Sequence, residues 1–391
     1  MMKRKTRVLL VVMSALLIAG LFVSCSGAAD TAEEPADVVV ADETVVEESD
    51  VEAVDAALQE KLDTTLYVGV SVRTFANPYL VTIADGGQLF ADWLDEIGQK
   101  YEFEVMLNEG SNDEQINAIG AFLAKANGNA ILFVDPNEAA IAATIADMVE
   151  EAGAYMGTTW NKPPEVKVSD YDHWIAHHTP DDVKMGYDIA VEMFSQFDTP
   201  FEGKVVAIQG LLGNTTANNR YAGLVKALEE YPGVELVADE TAKWMAPEAL
   251  TIMETLLVAH DDIDGVWCAN DNMAMGVLQA LEAKGLLGQV KVVGINAIPA
   301  AVDAIKAGNM TATVDCDGWG QGGYTLAMAY DAWLGNLDVP ALPEDHRQFG
   351  TASIFINAEN VDWYIANYIE QQPVMDFTNY WEFRAGDYPI D

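Results

Sequence analysis

Positive charge is what this sequence has least of. Its 391 residues carry 20 lysines and arginines against 62 aspartates and glutamates, a formal net charge of −42. Neutralising phosphates takes Lys and Arg, so this balance argues against nucleic acid or an anionic lipid surface as a partner. The acid is spread over many segments and reads as a solvated surface, not as a site. Cysteine is scarce too, three in all with no CxxC pair, which argues against a zinc ribbon. There is no P-loop, no Gly-x-Ser-x-Gly and no framed Ser/His/Asp set, so neither catalysis nor a cofactor is expected. His173, His177 and His178 stand close together without a Glu-bearing zinc motif; no metal is expected, and a hinge or cleft-rim role is. Gly320-Gln321-Gly322-Gly323 completes no dinucleotide fingerprint.

What is present begins at the N-terminus. Lys3, Arg4, Lys5 and Arg7 precede an apolar run over residues 8–23, short for a membrane span and suited to a secretory signal. The run ends Phe22-Val23-Ser24-Cys25, which resembles a bacterial lipobox in which Cys25 is lipidated and heads the mature chain. Phe22 and Val23 depart from the commonest pattern, and plain cleavage without lipid is the alternative. Residues 26–63 are rich in Glu, Asp, Ala and Val and hold no aromatic residue, so a self-repelling disordered tether is expected, with a turn or two of helix over 53–62.

From residue 64 the length suits two lobes. Short β-branched runs at 66–72, 103–107, 130–134, 204–209, 265–269 and 290–295 alternate with amphipathic stretches at 79–99, 113–126, 138–151, 182–197, 217–231, 247–259, 272–284 and 299–307. That rhythm predicts parallel sheets covered on both faces. It repeats after about residue 170, which predicts an α/β chain of two similar Rossmann-like lobes. Ligands of such sheets bind beyond the carboxyl ends of the strands, so the strand-to-helix junctions are the candidate site. Cys268 and Cys316 close two apolar runs, where an exported protein could pair them or bury two thiols.

Five junction motifs carry a resemblance: Asn77-Pro78-Tyr79, Asp135-Pro136, Asn219-Arg220-Tyr221-Ala222-Gly223-Leu224, Ala269-Asn270-Asp271-Asn272-Met273-Ala274-Met275-Gly276 and Val292-Val293-Gly294-Ile295-Asn296. Together, over about residues 64–350, they resemble the type I periplasmic binding proteins of ABC importers, in the ribose, galactose and xylose group. LacI-type repressors share this core but begin with a helix-turn-helix, which this chain lacks. The resemblance implies a three-crossing hinge near 172–182, 312–318 and 350–356 and a ligand cleft between the lobes. It implies an N-terminal lobe of 64–175 plus 317–352 and a C-terminal lobe with tail of 176–316 plus 353–391. Ligand contacts are implied at Asn77, Tyr79, Asp135, Arg220, Trp244, Asn270 and Asn296; Trp160, Asn161 and Asp315 join them by position, and Asp271 is assigned to a helix cap. Arg, Asn and carboxylates hold neighbouring sugar hydroxyls, and aromatic rings pack on the apolar C–H face.

Departures from the ribose pattern at Trp160-Asn161-Lys162, Leu80 and Asn296 imply another sugar or a polyol. The expected partners are therefore a sugar or polyol, an ABC permease with its ATPase, and the membrane through the lipid anchor, outside the cytoplasmic membrane or in the periplasm. A monomer is expected. A nucleoside or other polar solute on the same scaffold, or a chemosensory role, is the alternative.

Overall fold

The computed structural model describes residues 48–371 and 373–388. The apolar run, Cys25 and the first part of the acidic stretch lie outside the described residues. The rest folds as α1 (Glu48–Asp63), β1 (Leu66–Val72), α2 (Pro78–Ile97), β2 (Tyr101–Leu107), α3 (Asn112–Ala126), β3 (Ala130–Val134), α4 (Ala142–Ala152), β4 (Tyr155–Thr159) and β5 (Trp174–Thr179). There follow α5 (Asp182–Ser195), β6 (Gly203–Gln209), α6 (Thr215–Glu230), β7 (Val234–Thr241), α7 (Ala246–Ala259), β8 (Gly265–Cys268), α8 (Asp271–Lys284), β9 (Lys291–Val293), α9 (Pro299–Lys306) and β10 (Ala312–Asp315). The chain closes with α10 (Gly318–Leu334), β11 (Gln348–Thr351), β12 (Ile354–Asn357), a short helix Val361–Tyr364 and β13 (Arg384–Asp387).

Two sheets result, in the orders β13-β11-β5-β4-β3-β1-β2 and β12-β10-β9-β8-β6-β7. Every pairing is parallel except those of β13 and β12, which close one edge each. Within each lobe the first five strands run in the spatial order 2-1-3-4-5, so both sheets reverse direction between their first and third strands. A crevice opens at that switch point, beyond the strand ends. The two lobes therefore present matching crevices to one another.

Local chemistry fixes the helix starts. Asn77 accepts a hydrogen bond from the Tyr79 amide with Pro78 in the first turn, and Ser111, Asp181, Asn214 and Asn270 cap their helices in the same way. The lobes are then pinned by paired glycines on adjacent helices. A methyl group at Gly186 (α5) would lie 2.0 Å from the Arg220 carbonyl oxygen, and one at Gly223 (α6) 2.2 Å from that of Val183. In the other lobe Gly86 (α2) and Gly322 (α10) stand in the same relation to the Trp319 and Ile83 carbonyls. Backbone contact of this kind leaves no room for any other residue.

Several expectations are corrected. The acidic stretch is not an unstructured tether up to residue 63: its last part is α1, and Lys61 anchors it by donating to the Trp333 carbonyl at 2.8 Å, 4.2 Å above that indole. The lobe boundary at 175/176 falls inside β5, which belongs wholly to the N-terminal sheet. The tail does not stay with the C-terminal lobe. Phe377 meets Phe90 at 5.4 Å, the Tyr380 hydroxyl donates to Asp331 at 2.6 Å, and β13 pairs with β11. The chain therefore crosses four times rather than three: at 179–182, 315–318, 351–354, and again between Ile369 and Phe377. Cys268 and Cys316 are buried free thiols.

His177 and His178 are interior, not at the cleft rim, and His173 is half-buried. His177 and His178 have no exposure in β5, sharing hydrogen bonds of 2.8 Å with Thr158 and Thr325, while His173 stacks on Tyr155. Burial pushes the His178 imidazole down to about 3 and depresses His177 as well, so both are neutral. Among the described residues no helix is long and apolar enough to cross a membrane, and no His, Cys, Asp and Glu cluster is arranged to hold a metal.

Candidate ligand-binding cleft

Between the switch points lies a cleft enclosing about 540 Å³ of space, part of it open to solvent. Nine of the ten residues expected from sequence line it: Asn77, Tyr79, Asp135, Trp160, Asn161, Arg220, Trp244, Asn270 and Asn296. The strand-to-helix junctions after β1, β3 and β4 supply the first five; the second lobe supplies the other four, Arg220 from within α6 and the rest from loops. Arg73, Thr74, Leu80, Pro136, Asn137, Asn214, Thr216 and Met245 complete the wall. Of these, Asn214 could have been found as the polar start of α6, whereas nothing local marks Met245.

Asp315 stands apart. It is not in the cleft wall, and its carboxylate accepts from the Asp317 amide at 2.9 Å and is bonded to Tyr364. Burial, with the Asp317 charge beside it, pushes the Asp315 carboxyl up to about 6. It thus sits at the second crossing, tied to a tail residue whose position could not be read from the sequence. Asp271 is likewise not a cap. Asn270 takes that role through the Met273 amide, while Asp271 accepts from Thr313 at 2.8 Å and from the Ile298 amide at 3.1 Å.

The cleft's charged centre is an ion pair. Arg220 Nε donates to Asp182 at 2.8 Å and Nη1 to the Ala269 carbonyl at 2.8 Å, with only 2% of Arg220 and 4% of Asp182 exposed. Burial works against the Arg220 charge, but Asp182 more than offsets it, so the guanidinium stays cationic. It lies between two indoles, 5.9 Å from Trp160 of one lobe and 5.7 Å from Trp244 of the other. Tyr79 packs on Trp160 at 5.4 Å. Asn161 donates to Asp135 at 3.2 Å and to the Pro136 carbonyl at 2.9 Å. The lobes touch across the gap, where Asn214 Nδ2 reaches the Asn137 carbonyl at 3.2 Å.

Unpaired polar atoms and strained backbone both occur in this wall, as they do elsewhere in the molecule. The Tyr79 hydroxyl, Asn137 Oδ1, Trp160 Nε1 and Asn161 Oδ1 are buried without a hydrogen-bond partner, a costly state for polar atoms. Backbone strain collects here as well: Trp160 (φ +59°), Trp244 (φ +71°) and Asn296 (φ +117°) occupy the left-handed region that favours glycine.

Burial pushes the Asp135 carboxyl up to about 7, against the pull of Asn161, Arg73 and Arg220, and it raises Asp271 to about 7 too. Both groups hold protons in the native state that an unfolded Asp, near 3.9, has released. The two carboxyls therefore contribute stability that is fully present below about pH 3.9 and is lost as pH rises through about 7. The buried neutral His177 and His178 oppose them below the unfolded histidine value of about 6.5. Thermal unfolding of the ligand-free protein should give a higher midpoint at about pH 5.5 than at about pH 8, with a smaller difference in Asp135→Asn. A pH difference as large in Asp135→Asn as in the wild type would refute this titration.

Comparison with known proteins agrees with the geometry. A periplasmic binding protein domain model matches residues 68–337. The chain is 40% identical to the D-allose-binding periplasmic protein of Escherichia coli (strain K12) over 112 residues, which are 29% of this chain and 36% of that one. It superposes on a twin-arginine translocation pathway signal protein from Burkholderia phytofirmans with a TM-score of 0.79 and 35% identity, covering 84% of this chain and 99% of that structure. An ABC transporter solute binding protein from Bacillus halodurans with bound myo-inositol superposes with a TM-score of 0.67 and 27% identity, over 78% of this chain and 99% of that structure. Domain match, paired 2-1-3-4-5 sheets and interlobe cleft agree: the chain belongs to the type I periplasmic binding proteins, a family that binds solutes and does not transform them.

Proposed function

We propose that this protein is the substrate-binding component of an ABC importer, capturing a sugar or sugar alcohol and delivering it to a membrane permease. The observation that carries this reading is the set of buried, unpartnered polar atoms of Tyr79, Asn137, Trp160 and Asn161, all from residues of an aromatic-walled cleft between two lobes. A polyol offers hydroxyls that donate and accept, which suits such atoms, and an apolar face that suits Tyr79, Trp160 and Trp244. Asp135, Arg220 and the amides of Asn77, Asn270 and Asn296 would fork onto neighbouring hydroxyls. Each lobe holds only part of the set, so ligand favours the closed arrangement by completing it. Export with lipidation at Cys25 would hold the domain outside the cytoplasmic membrane, close to the permease.

The test is calorimetric titration of the mature chain, freed of co-purified ligand, against pentoses, hexoses, tetritols, pentitols, inositol and nucleosides. One-to-one binding of a sugar or polyol is expected. Binding of a nucleoside alone would keep the scaffold and overturn the carbohydrate assignment.

A further inference from the structure

Trp160 walls two cavities at once. On one side is the ligand cleft; on the other is a second chamber of about 1480 Å³, open to solvent and set between the lobes beside the hinge. The chamber is lined by Lys162, Thr179 and Asn219 and by the carboxylates of Asp181, Glu344 and Asp387. These groups come from both lobes and the first crossing, so the chamber, like the cleft, exists only where the lobes meet.

The Trp160 side chain is held in place. The Asn161 amide donates to the Thr159 carbonyl at 2.7 Å, closing a three-residue turn around Trp160, whose φ is +59°. Turns of this hand are rare and strained, and they persist where surrounding structure enforces them. Tyr79 packs on one part of the ring, Arg220 lies 5.9 Å from it, and only 7% of the residue is exposed. A substituent leaving a cleft-bound ring in this direction would meet a braced side chain.

We propose that Trp160 sets the upper size of the ligand, dividing the cleft from a chamber that would otherwise accept the second ring of a glycoside. The inference rests on the carbohydrate reading above and deepens it: the ligand is a single ring or short polyol. The chamber's carboxylates accept hydrogen bonds from an uncharged sugar ring and repel phosphate, so a neutral glycoside is what the opened site would take.

The experiment titrates the full mature chain and its Trp160→Ala variant with three pairs of probes: myo-inositol and galactinol, D-galactose and melibiose, D-ribose and a ribofuranosyl disaccharide. For the pair whose parent binds, the wild type should prefer the parent by about 100-fold or more, and Trp160→Ala should narrow that ratio to about tenfold or less. A folded Trp160→Phe variant, with a smaller ring on the same turn, should fall between them. An unchanged ratio in both variants overturns the partition. If no parent binds the wild type, the crystal structure of ligand-free Trp160→Ala decides the partition, and the carbohydrate reading itself fails only if no sugar or polyol of the wider titration binds either. One continuous void joining cleft and chamber is expected; a cleft still sealed from the chamber overturns it.

Discussion

Arg220→Ala should abolish tight ligand binding and also lower the stability of the ligand-free protein by about 3–5 kcal/mol, as expected when one member of a buried ion pair is removed. Among the described residues the guanidinium is the only group paired with the Asp182 side chain by a salt bridge, and both are almost wholly buried. Without it Asp182 would be an uncompensated carboxylate in the interior; burial already raises its pKa with Arg220 in place. The Ala269 carbonyl would lose its donor as well. A charged hydrogen bond to ligand adds a binding loss of about 1.5–3 kcal/mol, or roughly 10- to 150-fold. The two roles separate in the double variant Arg220→Ala/Asp182→Asn, which should recover much of the stability and none of the affinity. Urea unfolding and calorimetry measure the two quantities independently. Full affinity in the single variant would remove Arg220 from the site.

Gly186→Ala is the second large expected effect, and it should damage binding from outside the cleft. The added methyl would lie 2.0 Å from the Arg220 carbonyl oxygen, 2.8 Å from its carbonyl carbon and 2.9 Å from its Cα, all backbone atoms that cannot swing aside. Helix α6 would have to move off α5, carrying Arg220 and Thr216 with it. Overpacking of this kind costs about 1–3 kcal/mol, occasionally more, and the gain in helix propensity over Gly, about 1 kcal/mol, offsets only part. The unfolding midpoint and the ligand affinity should therefore fall together. A variant with wild-type affinity but lowered stability would show that α6 yields without moving its guanidinium. Gly98→Ala is a useful contrast: its penalty comes from a φ of +85° at a helix end, with nothing within 4 Å, so affinity should not change.

Much of the cleft was legible because its residues also do local work. Asn77, Asn214 and Asn270 cap helices that follow strands, and that punctuation stands in the chain as Asn before a helical run. Pattern and site coincide there, since parallel sheets bind ligands where strands hand over to helices. Helix α10 was not legible. Its start, Gly318-Trp319-Gly320-Gln321-Gly322-Gly323, has poor helical propensity and reads as a broken loop, yet those glycines let it lie backbone-to-backbone on α2. Tertiary contact here outweighs local preference. Strand β5 was absent from the apolar runs for a similar reason: His177 and His178 interrupt it and become acceptable in a core only because Thr158 and Thr325 reach them.

The sequence alone determined the fold class, six of the thirteen described strands with eight of the helices between them, and nine residues of the cleft wall, because periodicity, caps and junction residues are properties of neighbours along the chain. Tertiary structure decided the rest. It assigned the aromatic tail to the first lobe, made a fourth crossing, took Asp315 out of the cleft and placed Trp160 between two cavities. Each of these depends on groups far apart in sequence meeting in space. No local pattern encodes a meeting of that kind, since its energy comes from burial and pairing that exist only once both partners are in place.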